Sequence, residues 1–190
     1  MPQPVPPPAL ALPMSPLAAH AEEAFERTSP YDGFGFRNHC RRLFLLTELL
    51  LKKEGAPLAR DVAYAIAMCH DLGIVSRVDT GRTYLERSRS LFEREMQGYD
   101  LGAPKHVLDE CLVYNHRLLS VPNLSPQADA FRRAVQIEHT RGLLRFGLDR
   151  HAVAAIFAAH PRGNLDRVLL DFAWRTLRHE PWTIVDGIFF

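Results

Sequence analysis

Apolar residues recur at helical spacing from residue 17 to residue 178 of the 190-residue chain, and strand-like alternation is scarce. The pattern predicts helices over 17–27, 37–53, 61–70, 84–97, 104–119, 127–146, 149–159 and 165–178. Two of these differ in kind from the rest. The 37–53 segment is apolar almost all round (Leu43, Phe44, Leu45, Leu46, Leu49, Leu50, Leu51), so it belongs inside a bundle. The 61–70 segment carries Val62, Ala63, Ala65, Ile66, Ala67 and Met68 and reads as a second buried helix. By contrast, 84–97 alternates charges (Glu86, Arg87, Arg89, Glu93, Arg94, Glu95) and reads as a solvated helix. Turn chemistry separates the helices: the 29–36 loop, Gly55-Ala56-Pro57, Gly73 with the polar 75–82 segment, the 122–126 linker, and Gly147. The expected fold is all-α, a single-domain bundle of about six to eight helices over 17–190. Residues 1–16 hold seven of the fourteen prolines and read as a poorly ordered, extended tail. Only 182–190 has β-rich composition. Phe34, Phe36, Trp174 and Trp182 are expected in the core or closing it.

Composition narrows the function classes. A net charge of +1 gives no electrostatic case for nucleic-acid binding. The longest apolar stretch, 43–51, is too short to span a bilayer and carries Glu48. No basic residue precedes the first apolar positions, as a secretory signal requires. Cys40, Cys69 and Cys111 are odd in number and form no Cys-x-x-Cys pair, which fits a reducing compartment. The protein therefore reads as soluble and cytoplasmic, acting on a small molecule, with homo-oligomerisation left open.

Nine histidines change the picture, because imidazole is the commonest metal ligand and a frequent acid–base. His70 and Asp71 follow directly on the apolar 61–70 helix, so the pair is expected to be partly buried. Buried polar groups need partners, and a shared divalent ion or a set of hydrogen bonds would equally serve. His39 lies in the first turn of the other apolar helix and can converge on the same point. His116 follows Val113-Tyr114-Asn115 and is either a further acid–base or an ordinary hydrogen-bonded histidine. Cys40 and Cys69 flank the motif histidines but point about 100° away, so they pack behind the site. His20, His106, His151, His160 and His179 carry no assigned role.

The order His39, then His70-Asp71, on successive helices of an all-α chain resembles the HD-domain superfamily of metal-dependent phosphohydrolases. Further stretches carry the resemblance: Arg37 to Arg42, Ala67 to Gly73, Thr83 to Ser88, Tyr114 to Leu118, Phe131 to Ala134 and Arg141 to Gly147. Together, over roughly 29–178, they are similar to a bacterial subfamily of small HD-domain proteins that is itself similar to cyanamide-hydratase-like proteins. The resemblance implies a divalent metal held by His39, His70 and Asp71. A distant Asp completes the family's set. Where the subfamily pattern has Arg-Arg-Ala-Asp-x-x-Asp, this chain has Arg132-Arg133-Ala134-Val135-Gln136-Ile137-Glu138. Val135 cannot ligate. Glu138, almost one turn on, is the expected fourth ligand, with His139 and Gln136 as other substitutes. Loss of the metal is the remaining alternative.

Two histidines and a carboxylate leave open positions on an ion, the condition for a catalytic site. Water bound there acidifies towards about 7. Iron, manganese, zinc, cobalt and nickel all suit such ligands. Asp71, His116 and Arg42 are the expected catalytic residues. Arg42 shares the face of His39 and is placed to pair with Asp71 or to clamp a substrate anion. Tyr84, Glu86 and Arg117 are expected at the entrance. The implied function is hydrolysis of a small nucleotide or phosphate ester. The alternatives are a cyanamide-hydratase-like lyase acting on a small nitrile, and a non-catalytic binding protein on a degenerate HD scaffold.

Overall fold

In the computed structural model, which describes residues 10–31, 33–75, 83–182 and 185, the apolar stripes become helices. In order these are α1 (Pro16–Thr28), α2 (Gly35–Glu54), α3 (Arg60–Cys69), α4 (Leu72–Val75) and α5 (Tyr84–Glu95). There follow α6 (Lys105–Val113), α7 (Pro126–His139), α8 (Arg150–Ala159) and α9 (Leu165–His179). α4 is a single turn of four residues, and the other eight are full helices. Among the described residues there is no strand, and no helix is long and apolar enough to cross a membrane. The all-α expectation holds.

Local chemistry sets where helices begin. Ser15 and Ser125 each precede a proline in the first turn and accept from the backbone N–H of Ala18 and Ala128. Thr83 and Glu86 cap α5 reciprocally, each side chain taking the other residue's backbone N–H. Asp149 accepts from the N–H groups of His151 and Ala152 to open α8.

Burial then orders the bundle. α2 lies at its centre, packed most extensively on α7 and α3, while α1 covers α3 and α6 covers α7. Val62 through Cys69 are buried without a break, so α3 runs through the interior. Each such aliphatic side chain contributes about 1.5–3 kcal/mol by leaving water. Driving α3 inward carries the residues at its end, His70 and Asp71, into the core as well. Cys40, Cys69 and Cys111 are buried free thiols.

Several expectations need correction. The 104–119 helix ends at Val113, because the Asn115 amide donates to the Cys111 and Leu112 carbonyls at 3.0 and 3.1 Å and closes the last turn. His116 therefore sits in a turn. The 127–146 helix ends at His139, where Thr140 Oγ1 donates back to the Gln136 carbonyl at 2.8 Å and Arg141 turns left-handed. α5 is not a solvated helix: one face buries Tyr84, Leu85, Arg87, Ser88, Leu91 and Phe92. Phe36 is in the core, but Phe34, Trp174 and Trp182 are exposed. Of the tail, 1–9 lies outside the described residues. Leu10 and Leu12 pack on the core, and Arg60 donates to the Ala11 carbonyl at 2.7 Å, so this stretch is not loose. Of 75–82 only Val75, the last residue of α4, is described, and of 182–190 only the helical Trp182 and Val185.

Two glycines permit the approaches that frame the interior. A Cβ on Gly73 would lie 1.9 Å from the Tyr84 carbonyl oxygen, so only glycine lets α5 reach the turn after Asp71. A Cβ on Gly35 would lie 2.5 Å from the Arg162 carbonyl oxygen, and its absence seats the segment before α9 on the start of α2.

Candidate metal centre

His39 projects from the second turn of α2, and His70 and Asp71 form the turn between α3 and α4. All three are buried, with 0, 0 and 2% of their surface exposed. His39 Nε2 lies 3.2 Å from His70 Nε2. Asp71 Oδ2 lies 3.4 Å from the first and 3.0 Å from the second. The other carboxylate oxygen, Oδ1, is 3.1 Å from His116 Nε2.

Proton placement follows from the partners. His70 Nδ1 is 2.7 Å from the Ala67 carbonyl, which can only accept. Nδ1 therefore carries the hydrogen, and Nε2 faces the cluster as a bare lone pair. His39 Nδ1 faces the Glu138 carboxylate at 3.1 Å, which favours the hydrogen on that nitrogen too. The result is two imidazole lone pairs and a carboxylate oxygen aimed at one another. A proton on one of these nitrogens, or a metal ion among all three groups, would relieve that crowding of lone pairs.

Without a metal ion, the surrounding charges favour a proton on His39. Burial works to discharge His39, but Glu138 and Asp71 outweigh it and raise the ring to about 9. His70 is lowered, by burial first and also by the charges of His39 and His116, despite Asp71 beside it. Burial would neutralise Asp71, yet His70, His116 and His39 hold its carboxyl well below the ordinary range. A proton on His39 Nε2 thus faces two acceptors, His70 Nε2 and Asp71 Oδ2.

The donor chemistry fits a metal. One atom from each of His39, His70 and Asp71 falls within 4.8 Å of the others, so this buried group can hold an ion. Two imidazole nitrogens and a carboxylate oxygen suit a first-row divalent transition metal better than magnesium or calcium.

The remaining expected residues are placed otherwise. Glu138 is buried, but its carboxylate lies on the Nδ1 side of His39, away from the converging Nε2 atoms. Its Oε1 accepts from Arg42 Nε and from Arg162 Nη1, each at 3.0 Å, and Arg42 Nη2 adds a further short contact. It is thus not among the donor atoms that converge. Arg42 is fully buried, and instead of meeting Asp71 it bonds Glu138 and the His160 carbonyl (2.6 Å). Val135 is in the core. Gln136 donates to the Arg117 and Leu118 carbonyls, and holds that turn rather than an ion. His139 stacks on His39 at 6.1 Å between ring centroids and lies 5.4 Å from His116. Tyr84 is buried edge-on to His116, with Phe172 beside it. Glu86 is engaged in the α5 cap, and Arg117 lies over the Tyr114 ring. Sequence reasoning missed Arg162, which falls in the short gap between the helices at 149–159 and 165–178. Nothing in its local pattern marks it as the second guanidinium on Glu138.

No protein-family model, no curated protein and no solved structure matches this chain.

Proposed function

We propose that the protein is a metal-dependent hydrolase of the HD type, with the ion held by His39, His70 and Asp71, acting on a small nucleotide or phosphate ester. One observation carries the reading: potential ligand atoms of the buried His39, His70 and Asp71 converge within 4.8 Å of one another. A bound ion would supply Lewis acidity and lower the pKa of water at the site. The chain's own residues do the rest. The Ala67 carbonyl holds the His70 tautomer, so its Nε2 stays available. His116 holds a proton at Nε2 against Asp71 Oδ1, which turns Oδ2 toward the two histidines. His116 also lies edge-on to Tyr84, placed to exchange a proton with a substrate.

A second reading has support of its own. Arg42 and Arg162 both direct their charge at Glu138, so neither is free to clamp a phosphate. Full burial of the donor group favours a small neutral substrate, as in a cyanamide-hydratase-like lyase.

Metal analysis of protein purified without chelator is the first test, with one equivalent of a first-row metal expected. If the protein carries no metal and takes up none of manganese, iron, nickel or zinc, both readings fail. A panel of nucleotides, phosphate monoesters and cyanamide on the loaded protein separates them. The winning activity is expected to vanish in Asp71→Ala, and its survival there would refute the site.

A further inference from the structure

The residue expected as the fourth ligand has another task. We infer that Glu138 is a positioning residue for the cation site: it does not touch the ion, but it fixes the ring that does. This rests on the reading of His39, His70 and Asp71 as ion ligands.

The two oxygens of Glu138 face in different directions. Oε1 is held by Arg42 Nε and Arg162 Nη1, each at 3.0 Å. Arg42 is itself anchored on the His160 carbonyl at 2.6 Å, and Arg162 also pairs with Asp166 at 2.5 Å. The carboxylate is therefore clamped by α2 on one side and by the segment ahead of α9 on the other. Oε2 is left facing His39 Nδ1 at 3.1 Å. Both of these atoms are buried, and neither makes a well-angled hydrogen bond elsewhere. They are face to face, and a small rotation of the ring brings them into line.

A carboxylate on the far nitrogen of a metal-binding imidazole does two things. It keeps the hydrogen on Nδ1, so the lone pair stays on Nε2, and it makes that nitrogen a stronger donor. Here it also restrains the plane of the His39 ring, whose other neighbours, Phe36 and His139, stack against its faces without fixing its rotation. A carboxylate needed only to neutralise two arginines would not have to present an oxygen to the ring.

The test compares wild-type and Glu138→Gln protein, both stripped of metal and titrated with cobalt(II) while the visible absorption is followed. Glutamine keeps the volume and an acceptor for the arginines but removes the charge from His39. The expected result is one equivalent of cobalt on the wild type and roughly 10–100-fold weaker binding to the variant, with an altered spectrum. A folded variant that matches the wild type in affinity and spectrum overturns the inference and leaves the cation site standing. A wild type that takes up no cobalt overturns both. Should the variant not fold, zinc-loaded wild-type protein answers alone by nitrogen-15 NMR of the histidine rings. His39 is expected to be ligated through Nε2, with an exchange-protected proton on Nδ1. Ligation through Nδ1, or an Nδ1 proton in free exchange with water, overturns the inference.

Discussion

Two buried polar clusters meet across the His39 ring. On its Nδ1 side, Glu138 faces two guanidinium groups, and opposite charges answer each other in place. On its Nε2 side, His70 and Asp71 bring only acceptors, and the cation that would satisfy them is not part of the chain's fixed charge. The first cluster has its charges matched by the chain itself. The second is complete only with a proton or a metal ion. Burial alone therefore does not mark a binding site; an imbalance of donors and acceptors inside the burial does.

The contrast can be broken most strongly at Glu138. Replacement by Ala leaves the buried Arg42 guanidinium without a carboxylate, and the cation-free protein is expected to lose about 3–5 kcal/mol in a urea or thermal unfolding experiment. Asp71→Asn is expected to cost less in the cation-free protein, since it removes a charge that lacks a fixed cation, while abolishing metal uptake. If the two substitutions were equally destabilising and Asp71→Asn still bound metal, the distinction between the clusters would be lost.

Filling the incomplete cluster is expected to have the next largest effect. Zinc or cobalt at a hundredfold excess over Kd should stabilise the fold by about 2.7 kcal/mol. That corresponds to a rise in Tm of roughly 5–10 °C for a protein of this size. Calorimetry with and without the ion checks it. No rise would mean that the acceptors do not bind the ion in the folded state.

Proton and metal should compete for the same place. In the cation-free protein His39 is raised from its ordinary 6.5 to about 9. Its contribution to stability is therefore complete below pH 6.5 and is lost as pH rises through about 9. The Tm of chelated protein is expected to fall across that window, with a smaller fall for the ion-loaded form. Metal affinity should weaken as pH drops below about 9, because the ion must displace the proton. A flat profile for the chelated protein would argue that no proton is shared among the acceptors.

The smallest expected effect is at the surface. Arg89 and Glu93 pair at 3.0 Å on the solvated side of α5. Arg89→Ala is expected to change stability by about 0.3–0.5 kcal/mol in the same unfolding assay. It is the exposed counterpart of the Glu138 cluster, and a loss near that of Glu138→Ala would undo the weight placed on burial.

The helices were legible from apolar spacing because each helix must hide one face, and that face recurs about every 3.6 residues. Their ends were less so. Asn115 and Thr140 terminate α6 and α7 through side-chain bonds to nearby carbonyls, and a pattern of apolar positions does not register such bonds. α5 read as solvated because its charges are dense, yet Arg87 is drawn inward to the Gly73 carbonyl and to Glu180. Phe34, Trp174 and Trp182 were expected inside and stand exposed, since aromatic identity alone does not say what will cover a ring.

The same division holds at the candidate site. The sequence by itself pointed to partial burial of His70 and Asp71, because they end an apolar helix, and to His39 as able to converge on them from the other. It also placed Glu138 on roughly the same helical face as Val135. Only the tertiary structure decided what each buried group meets there. Arg42 and Glu138 are 96 positions apart along the chain, and Glu138 and Arg162 are 24 apart on different elements. The side of the His39 ring that Glu138 reaches depends on how α7 crosses α2. Periodicity reports which face of a helix avoids water, but the partner of a buried charge is set by the crossing of helices, which no single segment encodes.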